Sequence, residues 1–204
     1  MEIREIIQMT KTLCEAPGTS GREDGAAVAA EALLAPLGPV SRTPLGSVLC
    51  TVCPGEPGAP HLMLEAHLDQ IGMVVTRLEK GGFLRVANVG GLDCRLLPAS
   101  PVTVHAREGR YPAVIASTPP HLCDGKEKPL KMEEILVDTG LSDEAAKEAF
   151  APGDPITLDG AFTMMANDLM LSPAQDDRVG CVAVIAAAKM LGKEPPRCKV
   201  TVCL

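Results

Sequence analysis

Hydrophobic and polar positions change period along this chain. In the opening stretch Ile3, Ile6 and Ile7, then Leu13 and Cys14, share one helical face, and Pro17-Gly18 ends the pattern. The spacing predicts an amphipathic helix over residues 2–15. Ser20-Gly21-Arg22-Glu23 has the form of a capping box, with Ser20 as the cap, and predicts a second, alanine-rich helix running to Pro36. Residues 47–53 and 61–66 are short apolar runs split by Pro54-Gly55-Glu56-Pro57-Gly58, the pattern of two strands around a turn. The first third of the chain therefore reads as α/β.

Between Ile71 and Phe162 short β-like runs replace the helical period: Ile71–Arg77, Phe83–Ala87, Val102–Ala106, Ala113–Ser117 and Ile156–Leu158. Turns at Lys80-Gly81-Gly82 and Glu108-Gly109-Arg110 separate them, and one short helix is expected from its cap at Ser142 to Phe150. Short strands with turns at this frequency predict a small sandwich or barrel. After Pro173 the helical period returns over Asp177–Leu191, apolar nearly all round and so expected to be buried. Gly192 ends it, and a last strand runs from Lys199 to Leu204. The pattern is that of an α/β domain interrupted by a β-rich one.

Composition narrows the partners. A chain of 204 residues, 46% hydrophobic and 22% charged, can bury a core and is not a disordered segment. Its net charge of −7 and only four aromatic residues (three Phe, one Tyr) argue against nucleic acid, and the acidic balance also argues against an anionic membrane surface. No apolar run approaches the ~20 residues that span a bilayer, and the N-terminus lacks the uninterrupted apolar core of a secretory signal. The expectation is a cytoplasmic globular protein with no nucleic-acid and no membrane partner. In that compartment the eight cysteines are expected to be reduced thiols. Cys50 and Cys53 have the spacing of half a zinc ribbon, but no second pair exists and both fall within a predicted strand.

Two places carry candidate chemistry. His67-Leu68-Asp69 directly follows the apolar run Leu62–Ala66, and an extended chain puts His67 and Asp69 on one side. A neutral imidazole binds divalent metal well, and its other ring nitrogen needs an acceptor that fixes the tautomer. The plain reading is a histidine at a strand end beside an unrelated surface aspartate. Asp176-Asp177-Arg178 opens the long apolar helix. Aspartate is a favoured helix cap, yet adjacent carboxylates repel unless a cation neutralises them, and a carboxylate spanning two ions about 3.5–4 Å apart organises two-metal hydrolases. Each motif alone leaves both readings open. Lying on either side of the β-rich segment, at the edges of the α/β part, they are placed to meet in one crevice. His61 reads as a surface residue and His105 as a strand position. His121, after Thr118-Pro119-Pro120, either reaches a site or fixes a loop. Phosphate-loop patterns and a G-x-S-x-G nucleophile are absent.

These residues sit within six blocks: Met63-Leu64-Glu65-Ala66-His67-Leu68-Asp69-Gln70-Ile71-Gly72, Val89-Gly90-Gly91-Leu92-Asp93, Pro119-Pro120-His121-Leu122, Val137-Asp138-Thr139-Gly140, Pro152-Gly153-Asp154-Pro155 and Asp176-Asp177-Arg178-Val179-Gly180-Cys181. In order and spacing they resemble the M42 family of metallo-aminopeptidases, which includes the glutamyl and tetrahedral aminopeptidases. The resemblance implies an α/β metallo-aminopeptidase-type catalytic domain, incomplete here, over residues 1–69 and 165–204. A barrel-like β-rich domain at 70–164 would be inserted into it for dimerisation and assembly. It further implies two divalent ions, zinc or cobalt, with His67 ligating one and Asp176 bridging both. Asp69 would be the catalytic carboxylate that supports the centre. Asp177 stands where the family carries Asn or Asp and is not implied as a ligand; Gln70 replaces a frequent Glu at a position that holds no metal. The implied activity is hydrolysis of N-terminal residues from peptides by a two-metal activated water, in a homo-oligomer. The family's Glu-Glu pair, further acidic ligand and distant C-terminal His have no counterpart before Leu204. The alternative is therefore a catalytically inactive fragment or assembly subunit. A carbohydrate hydrolase has little support, because no separate carboxylate pair is present to flank a sugar bond.

Overall fold

The computed structural model describes residues 2–118, 120–122 and 130–204. Pro119 of the Pro-Pro turn and Cys123 lie outside the described residues. The chain forms two units, Met1–Gln70 with Ala161–Leu204, and Ile71–Gly160. From the N-terminus come helices α1 (Ile3–Cys14) and α2 (Asp24–Leu34), then strands β1 (Val40–Arg42), β2 (Val48–Cys53) and β3 (His61–Glu65). The second unit contributes β4 (Gly72–Leu78), β5 (Phe83–Val89), β6 (Pro101–Ala106), β7 (Gly109–Ile115), β8 (Leu136–Asp138), helix α3 (Asp143–Ala149) and β9 (Pro155–Leu158). The first unit then resumes with the ribbon β10 (Thr163–Met164) and β11 (Met170–Leu171), helix α4 (Gln175–Leu191) and β12 (Lys199–Cys203). That ribbon places residues 161–164 with the first unit, so the boundary falls four residues before the position read from the pattern.

The sheet of the first unit has the order β1-β2-β12-β3, with β12 antiparallel to β2 and parallel to β3. Strand alternation puts Val48, Cys50 and Val202 on one face, and all three are fully buried against Leu13 of α1, Leu34 of α2 and Ile185 of α4. Burying aliphatic side chains of this size stabilises the unit by about 1.5–3 kcal/mol each. Two sequence expectations change here. In α4 one stripe is buried (Arg178, Cys181, Val182, Ile185 and Ala188), while Val179 and Met190 are exposed, because the sheet and α1 cover only one side of the helix. In α1 burial is confined to Met9, Thr10, Leu13 and Cys14, and Ile3 is exposed. No described helix is long and apolar enough to cross a membrane.

The second unit is a closed barrel of order β4-β5-β8-β7-β6-β9, every neighbouring pair antiparallel. Its interior is filled at alternate positions by Met73, Val75, Leu84, Val86, Val102 and Val104, with Ile115, Val137 and Ile156 from the remaining strands. Ser142 caps α3 as its sequence predicts, its hydroxyl accepting from the Ala145 N–H. Just after α3, Phe150 is buried edge-on to Tyr111 with ring centroids 5.0 Å apart.

The turn between β4 and β5 tolerates little change. Gly82 sits at φ +75°, and a Cβ there would lie 2.0 Å from the Leu141 carbonyl oxygen. Gly82→Ala is expected to destabilise the barrel by about 2 kcal/mol or more, combining left-handed backbone strain with displacement of a neighbouring main chain. Tyr111, the only tyrosine in a chain without tryptophan, makes urea unfolding of this unit readable by fluorescence.

Candidate metal centre

Strand β3 delivers the chain directly into Ala66-His67-Leu68-Asp69. Leu68 is buried in the core, and alternation turns the side chains of His67 and Asp69 away from it. The His67 Nδ1 lies 2.8 Å from Asp69 Oδ1, and on the far side of the ring Nε2 lies 3.3 Å from Asp176 Oδ1. Asp176 and Asp177 precede the regular part of α4: both have non-helical backbone angles, and the peptide bond between them is cis. Asp177 Oδ1 accepts from the Gly180 N–H at 3.1 Å, the geometry of a helix cap. The two adjacent acids, whose local pattern leaves cap and ligand open, thus divide: Asp177 caps the helix and Asp176 faces His67.

The ring's environment is informative. With Nδ1–H donated to Asp69, a neutral imidazole would aim the Nε2 lone pair at a carboxylate oxygen, and two acceptors at that distance repel without a proton or cation between them. Burial pushes the His67 pKa down. The hydrogen bond to Asp69 and the negative charges of Asp69, Asp177 and Asp176 outweigh it, so the ring titrates above its usual range. A tetrahedral ion with bonds of about 2.0–2.2 Å holds its donors roughly 3.3–3.5 Å apart. The Nε2 to Oδ1 separation fits that spacing, and Asp69 occupies the place of the carboxylate that orients a ligating histidine. No group of three or more His, Cys, Asp or Glu able to hold an ion is found among the described residues.

Beside the ring lies a cavity of about 530 Å³ lined by Glu23, Glu65, His67, Asp69 and Asp177, with no lysine or arginine among its described lining residues. Sequence reasoning singled out neither Glu65 nor Glu23, although the two-residue step from Glu65 to His67 is a signal that could have found the first. Glu65 ends β3 two residues before His67, and Glu23 reads as part of a cap. The capping box itself is overturned. Helix α2 begins at Asp24 with no side-chain cap; Ser20 Oγ donates instead to Asp69 Oδ2, and Glu23 accepts from the Gly21 N–H. The cause is tertiary. Thr19 bridges to Gln70, and the Gln70 N–H donates to the Gly18 carbonyl at 2.8 Å, so this loop is tied to the His-Leu-Asp segment rather than folded onto the helix start.

Arg178 holds the assembly from behind. It is fully buried, and its Nε donates to the Leu68 carbonyl at 2.9 Å, 110 residues away in the chain. Its Nη1 donates to the carbonyls of Leu13, at 2.5 Å, and Ala16. Burial lowers its pKa, and the nearby Cys14, Cys181 and Asp69 oppose that shift. Cys181, whose Sγ lies 3.3 Å from the His67 carbonyl, has its thiol pKa pushed up to about 12, chiefly by burial and then by Asp177. The other histidines have local surroundings of their own. His61 Nε2 meets Thr201 Oγ1 at 2.8 Å on the sheet, and His105 meets Thr157 in the barrel. His121 is exposed, in the 3-10 turn Pro120–Leu122 of the second unit.

The fold is an α/β peptidase domain accompanied by a six-stranded barrel. Residues 46–204 match the model of the M42 glutamyl aminopeptidase family, and the chain belongs to that family. It is 31% identical over 193 residues to the lysyl aminopeptidase of Pyrococcus furiosus, a match covering 91% of this chain and 55% of that protein. The solved aminopeptidase APDkam598 of the archaeon Desulfurococcus kamchatkensis superposes with a TM-score of 0.89 at 30% identity, over 98% of this chain and 55% of that one. The Pyrococcus horikoshii TET1 peptidase, which can assemble into a tetrahedron or a large octahedral shell, superposes at 0.88 with 29% identity, over 98% of this chain and 60% of that one. The chain spans about half the length of the relatives it matches.

Two outcomes are expected. Arg178→Ala leaves the Leu68 and Ala16 carbonyls without their donor and empties the guanidinium's space, lowering stability by about 3 kcal/mol or more. Arg178→Lys recovers only part of this because an ammonium lacks the planar fork, as urea unfolding followed by far-UV circular dichroism will show. Alkylation of native protein with iodoacetamide at mildly alkaline pH should leave Cys181 unmodified, since its thiolate forms only near pH 12; peptide mapping checks this.

Proposed function

We propose that this chain forms the histidine and bridging-aspartate part of a divalent-metal-dependent aminopeptidase that removes N-terminal residues from peptides. The observation that carries the reading is the His67 Nε2 to Asp176 Oδ1 separation of 3.3 Å, with the ring already oriented through Nδ1 by Asp69. His67 and Asp176 are the proposed metal ligands and Asp69 the supporting carboxylate. When bound, two divalent ions, zinc or cobalt, would supply a water of lowered pKa and polarise the scissile carbonyl. The chain's own residues do the rest. Asp69 keeps the ring nitrogen facing the centre. Asp176, its side chain almost fully exposed, faces His67 through Oδ1 and would hold metal together with it. The carboxylates of the cavity favour a cationic α-amine over an acidic group. Association into a homo-oligomer through the β-rich unit belongs to the same proposal, supported by the likeness to the TET1 peptidase shells.

A second reading, an inactive fragment or assembly subunit, rests on the two-donor geometry: among the described residues no third His, Cys, Asp or Glu converges with His67 and Asp176. The two separate experimentally. Purified protein is titrated with cobalt and zinc by calorimetry, then assayed against a panel of aminoacyl chromogenic substrates. The aminopeptidase reading expects metal uptake weakened by at least about tenfold in His67→Ala and in Asp176→Ala, with turnover lost in both. Absence of turnover together with absence of stoichiometric metal in the unaltered chain would establish the inactive reading.

A further inference from the structure

We propose that Ser20 is a positioning residue of this centre: its hydroxyl fixes the Asp69 carboxylate and, through it, the tautomer and tilt of the His67 ring. The inference rests on the reading of His67 and Asp176 as the ligand pair and adds a residue that acts on them from a different part of the chain.

The argument starts from what remains free once the backbone is held. The Leu68 carbonyl is tied to Arg178, Leu68 itself is in the core, and the Gln70 N–H is tied to Gly18, so the main chain on both sides of Asp69 is fixed. The Asp69 side chain, by contrast, is one-third exposed and can rotate about its last torsion, which is broad for a carboxylate. One hydrogen bond to His67 Nδ1 does not define the carboxylate plane. A second donor on the opposite oxygen does, and Ser20 Oγ supplies it at Oδ2 while Oδ1 serves the ring. Ser20 is itself held for this purpose. Thr19, almost fully buried, bridges to Gln70 on one side and accepts from the Arg22 N–H at 2.8 Å on the other. The hydroxyl also has no role at the start of α2, where a Ser-x-x-Glu pattern would ordinarily use it. The resulting chain of contacts runs Ser20, Asp69, His67, Asp176, each group setting the orientation of the next.

A serine that merely finds the nearest carboxylate would leave the imidazole unchanged when removed, and that distinguishes the two roles. Ser20→Ala and Ser20→Thr are compared with unaltered protein by long-range proton–nitrogen correlation of the His67 ring, without metal and at a pH where the ring is neutral. Cobalt titration by calorimetry and a thermal melt accompany it. The proposal expects the unaltered ring to hold its proton on Nδ1. Ser20→Ala should shift the ring toward the other tautomer and weaken cobalt binding about tenfold, at the low end for groups that orient a metal ligand, with little change in melting temperature. Ser20→Thr, which keeps the hydroxyl, should restore both. An unchanged tautomer ratio in Ser20→Ala overturns the proposal whatever the cobalt affinity does. Absence of cobalt binding in the unaltered protein would instead defeat the ligand reading, while the ring signals still decide the part played by Ser20.

Discussion

A cation buried with no carboxylate in hydrogen-bond contact among the described residues organises the first unit. Moving a guanidinium out of water costs several kcal/mol even after relaxation, so its surroundings must return that energy through fixed dipoles. Here they are carbonyls: Leu13 and Ala16 at the C-terminal end of α1, where the helix dipole is negative, and Leu68 between the two residues of the His-Leu-Asp pair. Because Arg178 also begins the regular part of α4, a single side chain ties together the end of the first helix, the end of β3 and the turn that carries Asp176. The approach of His67 to Asp176 follows from that tie and from the parallel pairing of β12 with β3.

Parts of this architecture stand openly in the sequence. The period-two runs in β2, β4, β5 and β6 and the Ser142 cap are local signals, and the structure contains them. The alternation that sets His67 and Asp69 on one side of the chain could also be read directly. What could not be read was tertiary. Ser20 and Glu23 carry every local mark of a capping box, yet the pairing of Thr19 with Gln70 across the fold redirects the serine hydroxyl to Asp69. Arg178 looks like a surface charge on a helix until the helix is laid against α1. Asp176 and Asp177 are alike in local pattern and were told apart in the sequence only by the family resemblance; the non-helical turn preceding α4 supplies the physical reason, leaving one as cap and the other facing His67.

The α4 stripe shows the same limit from the apolar side. A helix rich in Val, Ile, Ala and Met reads as wholly buried, but burial is decided by what covers it, and the sheet and α1 cover only one side. Composition reports how much surface can be hidden and not which half is. The cavity near His67 is a similar case for Glu23: it comes from a loop, and nothing in its spacing forecasts that it shares a wall with Asp69 and Asp177, whereas the two-residue steps from Glu65 to His67 and Asp69 do put those three on one side of the chain.

In the barrel, the shortest stave closes the ring. Leu136–Asp138 has too few residues to display an alternating pattern, yet it is the member that joins β5 to β7. Without it both neighbours would present unpaired rows of amide and carbonyl groups, the surface on which other chains nucleate. The pairing of both those edges therefore hangs on a segment of three residues. Its pairings reach back across more than fifty positions to Phe83–Arg85, the kind of long loop closure that slows folding.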